Sequence, residues 1–274
     1  MDSQGPGKGA ALDTAGASGE KAVMRILILG GTTEAAGLVR LLAARPDYDV
    51  TLSLAGRTAT PLALPARTRT GGFGGADGLA AFLREHGIGA LIDATHPFAR
   101  VISRNAAAAS AATGVPLLAI RRPAWTREPG DDWREVDSVA EAVAALGAAP
   151  RRVFLTVGRL ELAAFAAAPQ HRYLVRTIEP VGDALPGLDV TAIEARGPFG
   201  ADDEEALMRR HGVAILATKN SGGRATYGKI AAARRLRLPV VIVRQPVLPE
   251  VARVADAGAA LAWLDAHRAT ERGV

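Results

Sequence analysis

The chain has 274 residues, a formal net charge of +5 and no cysteine. The missing cysteine excludes disulfides, thiolate metal sites and a cysteine nucleophile. The positive charge is modest, dispersed and not interleaved with aromatics, which argues against nucleic acid as a partner and for an anionic small molecule.

Hydrophobic residues make up 49% of the chain and aromatics only 4%, so the core must be aliphatic, as in helices packed on a buried parallel sheet. The five histidines, His86, His96, His171, His211 and His267, form no pair at metal-ligand spacing, which predicts no metal. Residues 1–22 are rich in Gly, Ala, Ser and Asp and lack the apolar core of a signal peptide. They read as a disordered extension. No apolar run reaches the ~18 residues of a membrane span, so the expectation is a cytoplasmic protein with no membrane partner.

From Met24 onward, short aliphatic strands alternate with Ala/Leu-rich helices. The first strand, Arg25–Leu29, runs into Gly30-Gly31-Thr32-Thr33-Glu34, and a helix over Glu34–Ala44 follows at once. Glycines let a backbone approach an anion, and a helix N-terminus offers free N–H groups. This is a phosphate-binding turn, or else a tight turn with Thr33 as helix cap; the spacing meets the dinucleotide fingerprint only in part. The second strand, Val50–Leu54, is followed by Arg57, with no acidic residue from Thr51 to Ala76. An Arg there suits a ribose 2′-phosphate, where an NAD site places a carboxylate; otherwise Arg57 is a solvated loop residue.

A third strand, Arg67–Thr70, leads into Gly71-Gly72-Phe73-Gly74-Gly75. Bare backbone at Gly72 and Gly74 would let a ligand lie against the chain with Phe73 covering it, unless this is only a flexible tip. After a helix at Leu79–Glu85, the strand Ala90–Ala94 ends in Asp93-Ala94-Thr95-His96-Pro97-Phe98-Ala99. Thr95 and His96 can donate hydrogen bonds or a proton, and Pro97 fixes the turn, although a lone His is as often structural. A helix over Val101–Thr113 and a strand over Pro116–Ile120 complete the first series.

Pro, Gly and charges cluster at Trp125–Asp132, and the division is drawn there. Residues 23–128 form a nucleotide-binding domain and 129–274 a substrate domain. The second series has strands at Arg152–Val157, Arg172–Arg176, Val190–Glu194, Ala214–Ala217 and Val240–Val243. Its helices lie at Val139–Leu146, Glu204–His211, Ala225–Leu236 and Ala255–His267. Arg159, Arg176 and Thr218-Lys219-Asn220-Ser221-Gly222-Gly223 fall at strand ends, with Tyr227 and Lys229 on the next helix. Such a set forms a carboxylate-binding wall, or a capped turn with surface charges.

The two series repeat one another. Thr95 precedes Pro116 by 21 residues, and Thr218 precedes Pro239 by the same 21. Val115-Pro116 through Pro123 matches Leu238-Pro239 through Pro246. The expected fold class is therefore α/β: two Rossmann-like, doubly wound parallel-sheet domains facing across a cleft.

Four motifs in order, Gly30–Glu34, Gly71–Gly75, Asp93–Ala99 and Thr218–Gly223, resemble those of precorrin-6A reductases, and the similarity runs from about Met24 to Pro246. The resemblance implies an NADPH-linked reductase of cobalamin biosynthesis. Its substrate is a tetrapyrrole with acetate and propionate arms, and hydride goes to one double bond of the macrocycle to give precorrin-6B. On that reading Gly30–Glu34 hold the pyrophosphate, Arg57 the 2′-phosphate, and residues 71–75 and 95–98 border the nicotinamide. Arg159, Arg176, Lys219 and Lys229 grip carboxylates beside Asn220, Ser221, Gly222 and Tyr227. Lys219 or His96 donates the proton, unless a macrocycle nitrogen already carries it. The competing readings are the NADH-linked cobalt-precorrin-6A reductase of the anaerobic pathway, a non-catalytic nucleotide or tetrapyrrole carrier, and a nucleotide-dependent transferase.

Overall fold

The computed structural model describes residues 23–56 and 62–272. The first strand, β1 (Met24–Leu29), shows why aliphatic runs become central strands here: five of its six residues are buried. Ile26 and Ile28 face one side of the sheet, Leu27 and Leu29 the other. Helix α1 (Thr33–Leu42) follows, then β2 (Tyr48–Leu54), β3 (Arg67–Thr70), α2 (Gly75–Glu85), β4 (Ala90–Asp93), α3 (Arg100–Thr113) and β5 (Leu117–Ile120). Gly114, with φ 74°, ends α3 in the left-handed cap position that favours glycine.

The second series is β6 (Asp132–Val136), α4 (Val139–Ala145), β7 (Arg152–Thr156), a 3-10 helix (Arg159–Ala167) and β8 (Arg172–Thr177). It continues through β9 (Val190–Glu194), α5 (Ala201–Arg210), β10 (Ile215–Lys219), α6 (Gly228–Arg235) and β11 (Pro239–Val243). The chain ends in β12 (Ala252–Val254) and α7 (Ala257–Arg272).

These strands make two six-stranded sheets, ordered β12-β5-β4-β1-β2-β3 and β6-β11-β10-β7-β8-β9. Every pairing is parallel, with Ile26 opposite Val50 and Ala90 in the first sheet and Thr218 opposite Thr156 and Ile242 in the second. The two orders are identical under the sequence repeat, so the α/β class and the paired domains are as the alternation predicts.

One boundary differs. Dividing the chain at residue 128 assigns everything beyond it to the second sheet, yet β12 pairs with β5 and α7 packs on the first sheet through Ala260 and Leu264. The reason is burial. Ala257, Ala260, Leu261 and Leu264 cover the sheet face that Ile26, Ile28 and Ile92 would otherwise expose to water.

In each sheet the winding reverses between two central strands, β1 and β4 in one and β7 and β10 in the other. The crevice beyond the C-terminal ends of such a pair is where open α/β sheets receive ligands. Phe98, on the loop after β4, packs against the second sheet's core beside Val157 and Val243, which brings the two crevices together. Among the described residues no helix is long and apolar enough to cross a membrane.

Candidate functional site

The turn after β1 is built for close approach. Gly31 has φ 109°, and nothing lies within 4 Å of where its Cβ would point. Gly30 has a different constraint, because a Cβ there would stand 2.5 Å from Leu52. The cap of α1 is Thr32, one residue earlier than the sequence suggests. Its hydroxyl accepts from Ala35 N at 3.2 Å and donates to Ala94 O at 2.7 Å, which ties this turn to the one after β4.

Glu34 accepts at 3.1 Å from the Thr33 hydroxyl and at 3.1 Å from the Arg122 guanidinium. Burial pushes the Glu34 carboxyl up, but the Arg122 charge and these hydrogen bonds outweigh it and hold the group below its usual value. Its carboxylate is thus committed to Arg122, and its part in an anion site is its position at the helix N-terminus. Gly71, Gly72 and Gly74 also face open space. Phe73 is not a free lid. Its ring packs edge-on against Phe82 at 5.2 Å, and the Arg69 guanidinium covers it at 3.9 Å. Arg57 lies outside the described residues.

On the loop after β4, Thr95 is buried and its hydroxyl donates to Asp93 at 2.6 Å, so it has no proton to offer a ligand. Pro97 is buried as well. His96 accepts from Phe98 N at Nδ1, 3.3 Å away, which leaves the proton on Nε2. Burial, then the charges of Lys219, Arg122 and Lys229, pull the His96 pKa down to about 3. Burial and these cations therefore favour the neutral imidazole.

Lys219 ends β10 and stands over the Phe98 ring, 4.9 Å from its centroid, while Nζ donates to Glu161 at 2.8 Å. The first-sheet loop carrying His96 and the second-sheet loop carrying Lys219 therefore share one crevice. Arg159 is exposed at the same strand-end level. Beside it Leu160 is 74% exposed, and Ile178 after β8 is 50% exposed. Large apolar side chains next to a free cation suit a ligand with a flat apolar face and anionic arms.

The other expected substrate residues hold the protein together instead. Arg176 forms a buried pair with Glu204, one bond of which is 2.9 Å, under the Phe199 ring. Asn220 spends its amide on the backbone of Trp125, accepting from N at 2.8 Å and donating to O at 2.9 Å. Ser221 is buried and its carbonyl accepts from Arg122 Nε at 2.6 Å. Gly222 has φ 66°, and a Cβ there would collide with Pro123 O at 2.2 Å. Tyr227 donates to Glu128 at 2.6 Å and lines, with Trp125, Phe199 and Arg224, a cavity of about 520 Å³. Lys229 is 3% exposed, donates to Thr226 O, and is brought down to about 7 by burial, with Arg176 adding to the effect. A charge that deep is too costly to serve as a surface grip.

Sequence reasoning missed Arg122 and Glu161. Arg122 bridges the α1 turn and residue 221, pairing with Glu34 and donating to Ser221 O. Its signal was present: it stands two residues past β5, in the segment that repeats as Arg244-Gln-Pro246. Glu161 gave none, because its partner is 58 residues away.

The description "Precorrin-6x reductase CbiJ/CobK" belongs to the family whose model matches residues 25–265. A precorrin-6A reductase of Sinorhizobium sp is 55% identical over 237 residues, 86% of this chain and 91% of that one. One from Rhodobacter capsulatus is 46% identical over 250 residues, 91% of this chain and 99% of that one. A solved structure titled "CobK precorrin-6A reductase" superposes with a TM-score of 0.85 at 45% identity, covering 89% of this chain and 97% of that one.

Proposed function

The chain belongs to the precorrin-6x reductase family, and we propose that it reduces a double bond of the precorrin-6A macrocycle with NADPH in the crevice between its two sheets. The observation that carries the siting is Lys219 of the second sheet lying over Phe98 of the first, beside the neutral His96. A reductase on parallel sheets of this kind takes its hydride from a nicotinamide cofactor, which supplies that hydride when bound. The glycine turn fits such a group: Gly31 leaves open the space a Cβ would fill, next to the N-terminus of α1.

The chain's own part is positional. Residues 30–34 hold the pyrophosphate, and Arg57 takes the 2′-phosphate. The backbone of Gly72 and Gly74 and the His96 Nε2–H border the nicotinamide. Arg159 and Lys219 pair with the acetate and propionate arms, and Leu160 and Ile178 lie against the macrocycle. The Lys219 ammonium is also the proton source within the crevice, since His96 carries no charge to give. NADPH consumption with precorrin-6A, followed at the nicotinamide absorbance band, tests the activity. No consumption would leave a carrier.

Arg57→Ala should weaken NADPH binding by about 1.5–3 kcal/mol, the worth of a hydrogen bond to a charged group, and leave NADH binding unchanged. Parallel titrations with the two cofactors decide it; equal losses would remove Arg57 from the 2′-phosphate. Gly31→Val should abolish nucleotide binding in a protein that still folds. The open space accepts the side chain, and the positive φ costs only about 1–3 kcal/mol. A cooperative melt together with undiminished NADPH affinity would displace the phosphate turn from residues 30–34.

A further inference from the structure

Lys219 does not stand alone in the crevice. Its ammonium is held at 2.8 Å by Glu161, on the first turn of the 3-10 helix that follows β7, and lies over Phe98 with 12% of the side chain exposed. The residue that precedes that helix is Gly158. A Cβ there would fall 2.4 Å from Glu161 Oε2 and 3.5 Å from Lys219 Nζ. Gly158 has φ −71°, which any residue adopts, so what a side chain there would disturb is the Glu161 carboxylate and not the backbone.

We propose that Glu161 is a positioning residue for the reduction: its carboxylate aims the Lys219 ammonium across the crevice at the substrate. The proposal rests on the placement of Lys219 on the substrate side, argued above. The charged and titratable groups around Lys219 are Glu161 from the 3-10 helix and His96 from the loop after β4. Arg122 from the segment between the sheets and Lys229 from α6 act on that same His96. Glu161 is the carboxylate that pairs with Lys219, while Arg122 pairs with Glu34. Without it, Lys219 is free to swing off the Phe98 ring.

The test is kcat and KM for precorrin-6A reduction in Glu161→Gln, Glu161→Asp and Gly158→Ala, beside Lys219→Ala and direct NADPH titrations. Glu161→Gln should lower kcat/KM by about tenfold, the equivalent of about 1.4 kcal/mol, while the protein keeps its melting temperature. NADPH affinity should stay within about twofold, since no charge-assisted contact to the cofactor is lost. Glu161→Asp should recover most of the rate. Gly158→Ala should behave like Glu161→Gln, because the added methyl displaces the carboxylate. If Glu161→Gln lowers the melting temperature but the folded enzyme keeps its kcat/KM, or if Glu161→Asp fails to restore a lost rate, the residue is structural only and the proposal is overturned. Wild-type kinetics in Glu161→Gln with an impaired Lys219→Ala overturn it alone. Wild-type kinetics in Lys219→Ala remove the substrate-side assignment, and this proposal falls with it.

Discussion

Asn in place of Asp93 lowers the folding stability by about 3–5 kcal/mol, the usual result of breaking a buried ion pair from one side. Asp93 ends β4 at 1% exposure. One carboxylate oxygen accepts from Thr95 N at 3.1 Å and from the Thr95 hydroxyl at 2.6 Å, and the other pairs with Arg121. Arg121 in turn donates to Asp93 O and Ser103 Oγ, each at 3.0 Å. Asn keeps the shape and the acceptor toward Thr95. It removes the charge and turns an NH2 toward a guanidinium, which is then buried without a counterion.

The same pair sets an acid limit. Burial pushes the Asp93 carboxyl up, but the Arg121 charge and the hydrogen bonds from Arg121, Thr95 and Ser103 hold it below its ordinary value. A depressed folded-state pKa gives stability that is present above the unfolded value, about 3.9, and is lost as pH falls through the folded value. Urea unfolding of the wild type should therefore weaken only in strong acid, and the variant should lose that pH dependence. A midpoint shift at pH 7 worth less than about 1 kcal/mol would mean that solvent reaches Arg121 and repays the missing carboxylate.

Lys219→Ala should reduce precorrin-6A turnover or affinity by roughly 10- to 150-fold, the equivalent of about 1.5–3 kcal/mol for one charge-assisted contact. NADPH binding should be almost unchanged, because the cofactor elements lie on the first sheet and Lys219 on the second. The kinetic parameter that changes identifies the role. A rise in KM alone means that the ammonium only grips a carboxylate. A fall in kcat with an altered pH profile means that it delivers the proton. The variant also leaves Glu161 unpaired, 32% exposed, so the loss should stay in catalysis and hardly lower the melting temperature. Wild-type kinetics in both parameters would take Lys219 out of the site.

The fold was legible because central parallel strands are aliphatic on both faces. Ile26–Leu29, Leu91–Ile92, Val153–Leu155 and Val240–Val243 announce themselves. The two strands that escaped, β6 and β12, are both sheet edges. Asp132-Trp133-Arg134-Glu135-Val136 carries three charges in five residues, and Ala252–Val254 is only three residues long. Neither reads as a strand without its neighbour.

For the site, strand-end position and the glycines pointed to the right loops, since the fold itself puts those loops at the crevice. Which side chains are free to meet a ligand was not legible. That depends on partners brought from afar: Asn220 is spent on Trp125, 95 residues away, and Arg176 on Glu204 of α5, 28 residues away. A polar residue beside a ligand and one pinning the loop look alike until those partners are known.

The placement of β6 with α4 and of β12 with α7 says something about how the molecule holds itself. A cut after α4 would leave two pieces, each supplying five consecutive strands to one sheet and its last strand and helix to the other. That is the geometry of a domain-swapped twofold dimer written into one chain. Neither piece can cover its own edge: without the other, β5 and β11 would stand bare along one side, open to pairing with foreign strands. The two sheets are joined twice, by residues 121–131 running one way and 244–251 running back, so a change in their relative placement must be taken up by both tethers together.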